Sequence, residues 1–172
     1  MVRFRCSSVR YSGICLMARV CVDACFLIGL YDKDDQHHFT AVRQFEALFG
    51  RNPGRNQLIA PWPVLYECLG SRYARDARKS ILFSQRWKYL YESGQLRLLD
   101  DLSFRMKCLE EHLGAQPRPL SLVDRVLRAL IEDKPRTFEF FVTYNTGDFK
   151  DACEKAGVYL LNEQTSPESY GT

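Results

Sequence analysis

Apolar residues recur along this chain in two patterns, short continuous runs and longer stretches with helical spacing. Residues 18–23, "ARVCVD", form a continuous run, as a strand buried on both faces requires. "QLIAP", "LRLLD", "FEFFVT" and "GVYLL" repeat that signature further on. Between the runs the period lengthens. Residues 24–31 read as a short helix. Phe39, Val42, Phe45, Leu48 and Phe49 predict a second, from about Gln36 to Phe49, capped by Asp34 or Asp35. Pro63 suits the start of a helix through Glu67. "SRYARDARKSILFSQRWKYLYESG" predicts one or two helices, and "SFRMKCLEEHLG" another, ended by Gly114. "SLVDRVLRALIED" predicts a helix capped by Ser121, and Asp148 opens a small helix to Ala156. "GRNPGRN" and "QPRP" are breaks. Strands alternating with helices predict an α/β domain of three layers, α/β/α, around a five-stranded parallel sheet.

Length and composition narrow this only slightly. The 172 residues suit one domain with a sizeable core. A hydrophobic share of 46% against 26% charged excludes a disordered chain. The net charge of +3 is compatible with a polyanionic partner without demanding one. Seven cysteines, Cys6, Cys15, Cys21, Cys25, Cys68, Cys108 and Cys153, form no CxxC pair and no zinc spacing. They read as buried free thiols in a reducing cytoplasm. No run of about 18 apolar residues exists to span a membrane. Residues 1–17 read as an N-terminal extension. Its basic start resembles a transit peptide but lacks a clean apolar region, and Met17 offers a start directly before the first strand. A mis-assigned upstream start and a disordered tail both account for it. The domain proper then spans residues 18–161, and a polar tail covers 162–172.

The acids change the picture most. Asp23 ends the first strand, Glu67 lies in the helix after the second, Asp124 opens the helix before the fourth, and Asp148 follows the fourth. Three of them interrupt apolar runs: "VCVDACFL", "PVLYECL" and "LSLVDRVL". In open parallel sheets ligands bind beyond the carboxyl ends of strands, where the winding reverses. With strand one central, Asp23 and Asp148 flank that crevice. Clustered carboxylates raise one another's pKa, and a hard cation such as Mg²⁺ or Mn²⁺ relieves the repulsion. Asp124 or Asp148 taken singly is equally well read as a helix cap. Asp23 and Glu67 are harder to explain that way, because burying an unpaired carboxylate is costly.

The stretches "VDACFLIGLYDKDDQHH", "PWPVLYECLG", "LSLVDRVLRALIE" and "FVTYNTGDF", in this order, resemble the PIN-domain family, in particular VapC-type toxins of toxin–antitoxin pairs. The resemblance covers nearly all of residues 18–161. It implies a metal-dependent endoribonuclease in which Asp23, Glu67, Asp124 and Asp148 hold one or two Mg²⁺ or Mn²⁺ ions, with RNA as substrate and a protein antitoxin as partner. The fourth motif reads Thr143-Tyr144-Asn145 where many members have Thr-Asn-Asp. Asn145 carries no charge, so Asp148 is the acid there, and Thr143 and Asn145 orient ligands or waters.

Two further features stand beside these motifs. Arg72, Arg75, Arg78, Lys79, Arg86 and Lys88 interleave with Tyr73, Trp87, Tyr89 and Tyr91. This mixture grips RNA through phosphate contacts and base stacking, or packs on an antitoxin or a second copy in a homodimer. His37 and His38 read as a solvated helix start. Two alternatives to a ribonuclease remain, a non-catalytic PIN-like binding module and a structure-specific DNA nuclease.

Overall fold

A computed structural model describes residues 18–50, 56–70, 75–114, 120–133 and 137–165. Five parallel strands, β1 (Ala18–Val22), β2 (Asn56–Pro61), β3 (Leu96–Leu99), β4 (Phe140–Val142) and β5 (Tyr159–Leu161), lie in the order β3-β2-β1-β4-β5. The first strand is central because its run has no polar face to show water. Val20, Cys21 and Val22 are fully buried. The register sets Val20 beside Leu58 on one flank and Val22 beside Val142 on the other.

Seven α-helices join the strands among the described residues: α1 (Ala24–Tyr31), α2 (His38–Phe45), α3 (Trp62–Gly70), α4 (Ala77–Glu92), α5 (Leu102–Gly114), α6 (Leu122–Glu132) and α7 (Lys150–Ala156). Parallel crossovers are right-handed, so winding from β1 out to β3 puts α1–α4 on one face of the sheet. The return to β4 and β5 puts α5–α7 on the other. The packing agrees: α1 lies against α2, α3 and α4, while α6 lies against α5 and α7. This is the α/β architecture expected, with the winding reversal between β1 and β4.

Local sequence fixes most helix boundaries. The Asp76 carboxylate accepts from the N–H groups of Arg78 and Lys79 and so starts α4. Ser121 caps α6 as expected. Gly157, at φ 66°, ends α7 in the left-handed region, where glycine is favoured. The segment after α1 departs from expectation. Its helix begins at His38 rather than Gln36, behind an N-cap, His37, that makes no side-chain cap bond. Asp35 instead accepts the N–H of His37 in the preceding turn. After Phe45 the chain widens into a π-helical turn, Glu46–Gly50. Ala41, Gln44 and Phe49 are buried, while Phe39, at the second position of α2, falls on the outward side and is 86% exposed. At the other end of the chain, Asp148 closes a short 3₁₀ turn, Thr146–Asp148, and Phe149 rather than Asp148 precedes α7.

No helix among the described residues is long and apolar enough to cross a membrane. The N-terminal extension with Cys6 and Cys15, most of both break segments, and residues 166–172 lie outside the described residues.

Candidate active site

Asp23 is the first residue beyond β1, and its backbone N–H still bonds across to the carbonyl of Val142. Its carboxylate then turns back to cap α1, with Oδ1 accepting the N–H of Ala24 at 2.6 Å. Oδ2 accepts two protons, from the Thr143 hydroxyl at 2.7 Å and the Cys25 thiol at 3.1 Å. Asp23 is 6% exposed. Burial pushes its pKa up, the donors from Thr143, Cys25 and Ala24 pull it back, and the charge of Asp124 pushes again; the net direction is upward.

Glu67 reaches the same field from α3. Desolvation, then the charges of Asp23 and Asp124, lift its pKa to about 7. Glu67 as a residue is exposed. Asp124 sits in the first turn of α6. Its N–H donates to the Ser121 hydroxyl at 3.1 Å, and that hydroxyl donates to Oδ2 of Asp124 at 2.7 Å. This capping exchange uses Oδ2 of Asp124 and leaves its Oδ1 out.

Asp148 is linked to the group through hydrogen bonds. Its Oδ2 accepts from the Asn145 side-chain amide, and the Asn145 backbone N–H donates to the Thr143 hydroxyl at 3.0 Å. Arg128, one turn beyond Asp124 on α6, donates to the Asp148 carbonyl and to both Asp151 oxygens, at 2.6 and 2.8 Å. It pins the Asp148 turn to α6. Asp148 also lines an open groove of about 560 Å³ with Gly147, Lys150 and Asp151.

The structure thus brings Asp23, Glu67 and Asp124 into one electrostatic cluster. Asp148 joins through Asn145 and Thr143. The donor set is all oxygen and holds several carboxylates in one field, which suits a hard divalent cation. Among the described residues no three His, Cys, Asp or Glu side chains converge as a ready metal-holding group. The fit is one of donor type and charge.

The basic, aromatic segment divides. Arg75 and Arg78 are exposed. Lys79 instead bridges the buried Asp32 and the exposed Asp34, at 2.8 Å from the latter. Trp87 is half-buried, its ring 5.1 Å from that of Phe83. Arg72 lies outside the described residues. The outward side of α4 carries Ile81, Leu82, Tyr89 and Tyr91. The histidines are not a solvated start. His37 stacks on Tyr144 at 4.5 Å and pairs with Glu163, and His38 bonds the Gly29 carbonyl at 2.8 Å. Sequence reasoning passed over Cys25, which it grouped with the buried thiols, and Arg128. The position of Cys25 two residues after Asp23, in the first turn of a helix, was the available signal.

The fold is that of a PIN-like α/β domain. Among solved structures, Mycobacterium tuberculosis VapC20, described as a Sarcin-Ricin loop cleaving toxin, is similar to this chain with a TM-score of 0.57 at 20% identity, over 77% of this chain and 94% of that one. No family model matches the sequence, and no curated protein does.

Proposed function

We propose that this chain is a divalent-metal-dependent endoribonuclease and the toxin of a toxin–antitoxin pair. One observation carries the reading: Asp23 is buried at the carboxyl end of the central strand, at the winding reversal, with Glu67 and Asp124 in its field. The fold shared with VapC20 supports it. Asp23, Glu67, Asp124 and Asp148 would hold one or two Mg²⁺ or Mn²⁺ ions. Such an ion, when bound, supplies an acidified water and offsets charge on a phosphoryl oxygen.

The chain's own residues do the remainder. Thr143 and the Ala24 N–H favour the ionised form of Asp23 and fix its plane. Glu67 exchanges its proton near neutral pH, so the cluster gains charge in that range. Asn145 and Arg128 hold the Asp148 turn. Arg75 and Arg78 are free to meet backbone phosphates, which makes them the RNA contacts of the segment. The exposed Ile81, Leu82, Tyr89 and Tyr91 suit a protein partner, an antitoxin or a second copy.

The test is cleavage of a labelled single strand of RNA, a folded RNA hairpin and the matching DNA, each with Mn²⁺ and with chelator. RNA cut only with Mn²⁺, and DNA left whole, is expected. Equal cutting of DNA would make the protein a DNA nuclease. RNA bound but never cut would make it a non-catalytic module.

A further inference from the structure

Two consecutive backbone N–H groups beyond β4 lead, each through one side chain, to the same oxygen of Asp23. The N–H of Asn145 donates to the Thr143 hydroxyl at 3.0 Å, which donates to Asp23 Oδ2 at 2.7 Å. The N–H of Tyr144 donates to the Cys25 sulfur at 3.2 Å, and the thiol donates to that same Oδ2 at 3.1 Å. The sulfur also lies 3.5 Å from the Thr143 hydroxyl, so the two relays run side by side. They join the strand on one side of the crevice to the loop on the other.

We infer that Cys25 is a positioning residue of the carboxylate site, acting through Asp23; this rests on the metal-dependent reading above. Oδ2 takes two side-chain protons and Oδ1 only the Ala24 N–H, so Oδ1 keeps the more open lone pair for a cation. Turning the carboxylate plane away from this χ2 would weaken all three bonds, so together they hold its plane. A methyl group at position 25 removes one of the two protons on Oδ2 and strands the Tyr144 N–H. The function assigned to the thiol is donor geometry, with no chemistry at sulfur. A hydroxyl therefore replaces it, being the stronger donor.

The experiment is calorimetric titration of the full-length chain with Mn²⁺ alone, together with melting curves. Cys25→Ala is expected to raise the Mn²⁺ Kd about five- to tenfold, the scale of one ordinary net hydrogen bond, as suits a weak thiol donor. Cys25→Ser is expected to stay within about twofold of wild type. Cys25→Val keeps the bulk without the donor and is expected to follow Cys25→Ala, which separates packing from hydrogen bonding. Wild-type Mn²⁺ affinity in Cys25→Ala and Cys25→Val overturns the inference and leaves the metal-dependent reading intact. So does a loss of affinity in Cys25→Ser as large as in Cys25→Ala. A wild-type chain that takes up no Mn²⁺ overturns the metal-dependent reading itself, and this inference with it.

Discussion

Asp23 combines two roles that are usually separate. As an N-cap it receives the Ala24 N–H, and as a site carboxylate it is buried among like charges. Both roles shape the expected outcome of Asp23→Asn. The amide oxygen still accepts the protons of Thr143 and Cys25, but the amide NH₂ then faces the Ala24 N–H. Loss of that cap costs about 1 kcal/mol, and removal of a buried charge next to Asp124 works the other way. The variant is expected to melt within roughly 4 °C of wild type without metal, while Mn²⁺-dependent RNA cleavage falls by more than about 100-fold. Cleavage at the wild-type rate would place the site elsewhere. Asp23 and Glu67 stand out in the sequence because a carboxylate inside an apolar run has few structural excuses. Of the donors on Asp23, Thr143 comes into view only through the motif resemblance, and Cys25 does not come into view at all. Thr143 is an ordinary residue in its own segment, and only the pairing of β1 with β4 sets it on Asp23.

At the scale of elements, α4 is where sequence pattern and structure part. Its mixture of cations and aromatics reads as one surface, yet the helix divides it among three uses. Lys79 points inward to Asp32, whose side chain is 2% exposed. Trp87 packs against Phe83, which meets Tyr31 edge-on, and Arg75 and Arg78 stay exposed at the start of the cationic side. Periodicity places a residue on a face, but it does not show that the loop after α1 brings two acids up to that face. Lys79→Ala is therefore expected to lower the melting temperature, since it leaves Asp32 buried without that cation, and to leave RNA affinity unchanged. Trp87→Ala is expected to cost about 2 kcal/mol of stability, a fraction of the loss for a fully buried aromatic. Arg75→Ala with Arg78→Ala is expected to do the reverse. RNA binding should weaken for every sequence, with the log–log salt slope falling by roughly 0.7 per contact, at unchanged stability and Mn²⁺ affinity. A double variant with wild-type salt slope would return α4 to the role of a protein-docking face. The same limit explains α2, whose apolar spacing marked Phe39 as inward. The inward line of that helix runs through Ala41 and Gln44 and leaves Phe39 outside, and the buried Gln44 is satisfied there because the Tyr144 hydroxyl meets its side chain at 3.0 Å.

For the whole molecule, the central place of β1 was legible in its continuous apolar run, while the full order β3-β2-β1-β4-β5 comes from the structure. The most continuous apolar run must be central, and right-handed crossovers then fix the two helical layers. That order gathers acids from distant parts of the chain at one edge, so stability and charge are coupled. Glu67 has a folded pKa of about 7, above the ordinary carboxylate value. Between the ordinary value and about 7 the folded chain therefore holds more protons at this position than the unfolded chain. Stability contributed here falls as pH rises through that window. Mn²⁺ displaces the proton, so the stabilisation it confers grows with pH over the same range. Glu67→Gln removes the titration. Without metal, the variant is expected to melt with wild type at pH 4.5 and above it at pH 7.5. With Mn²⁺ at pH 7.5 the order reverses, because the wild-type carboxylate gains a ligand and the amide does not. Melting curves at both pH values, with Mn²⁺ and with chelator, decide it. A gap between wild type and Glu67→Gln that ignores both pH and metal would mean that Glu67 lies outside the field of Asp23 and Asp124.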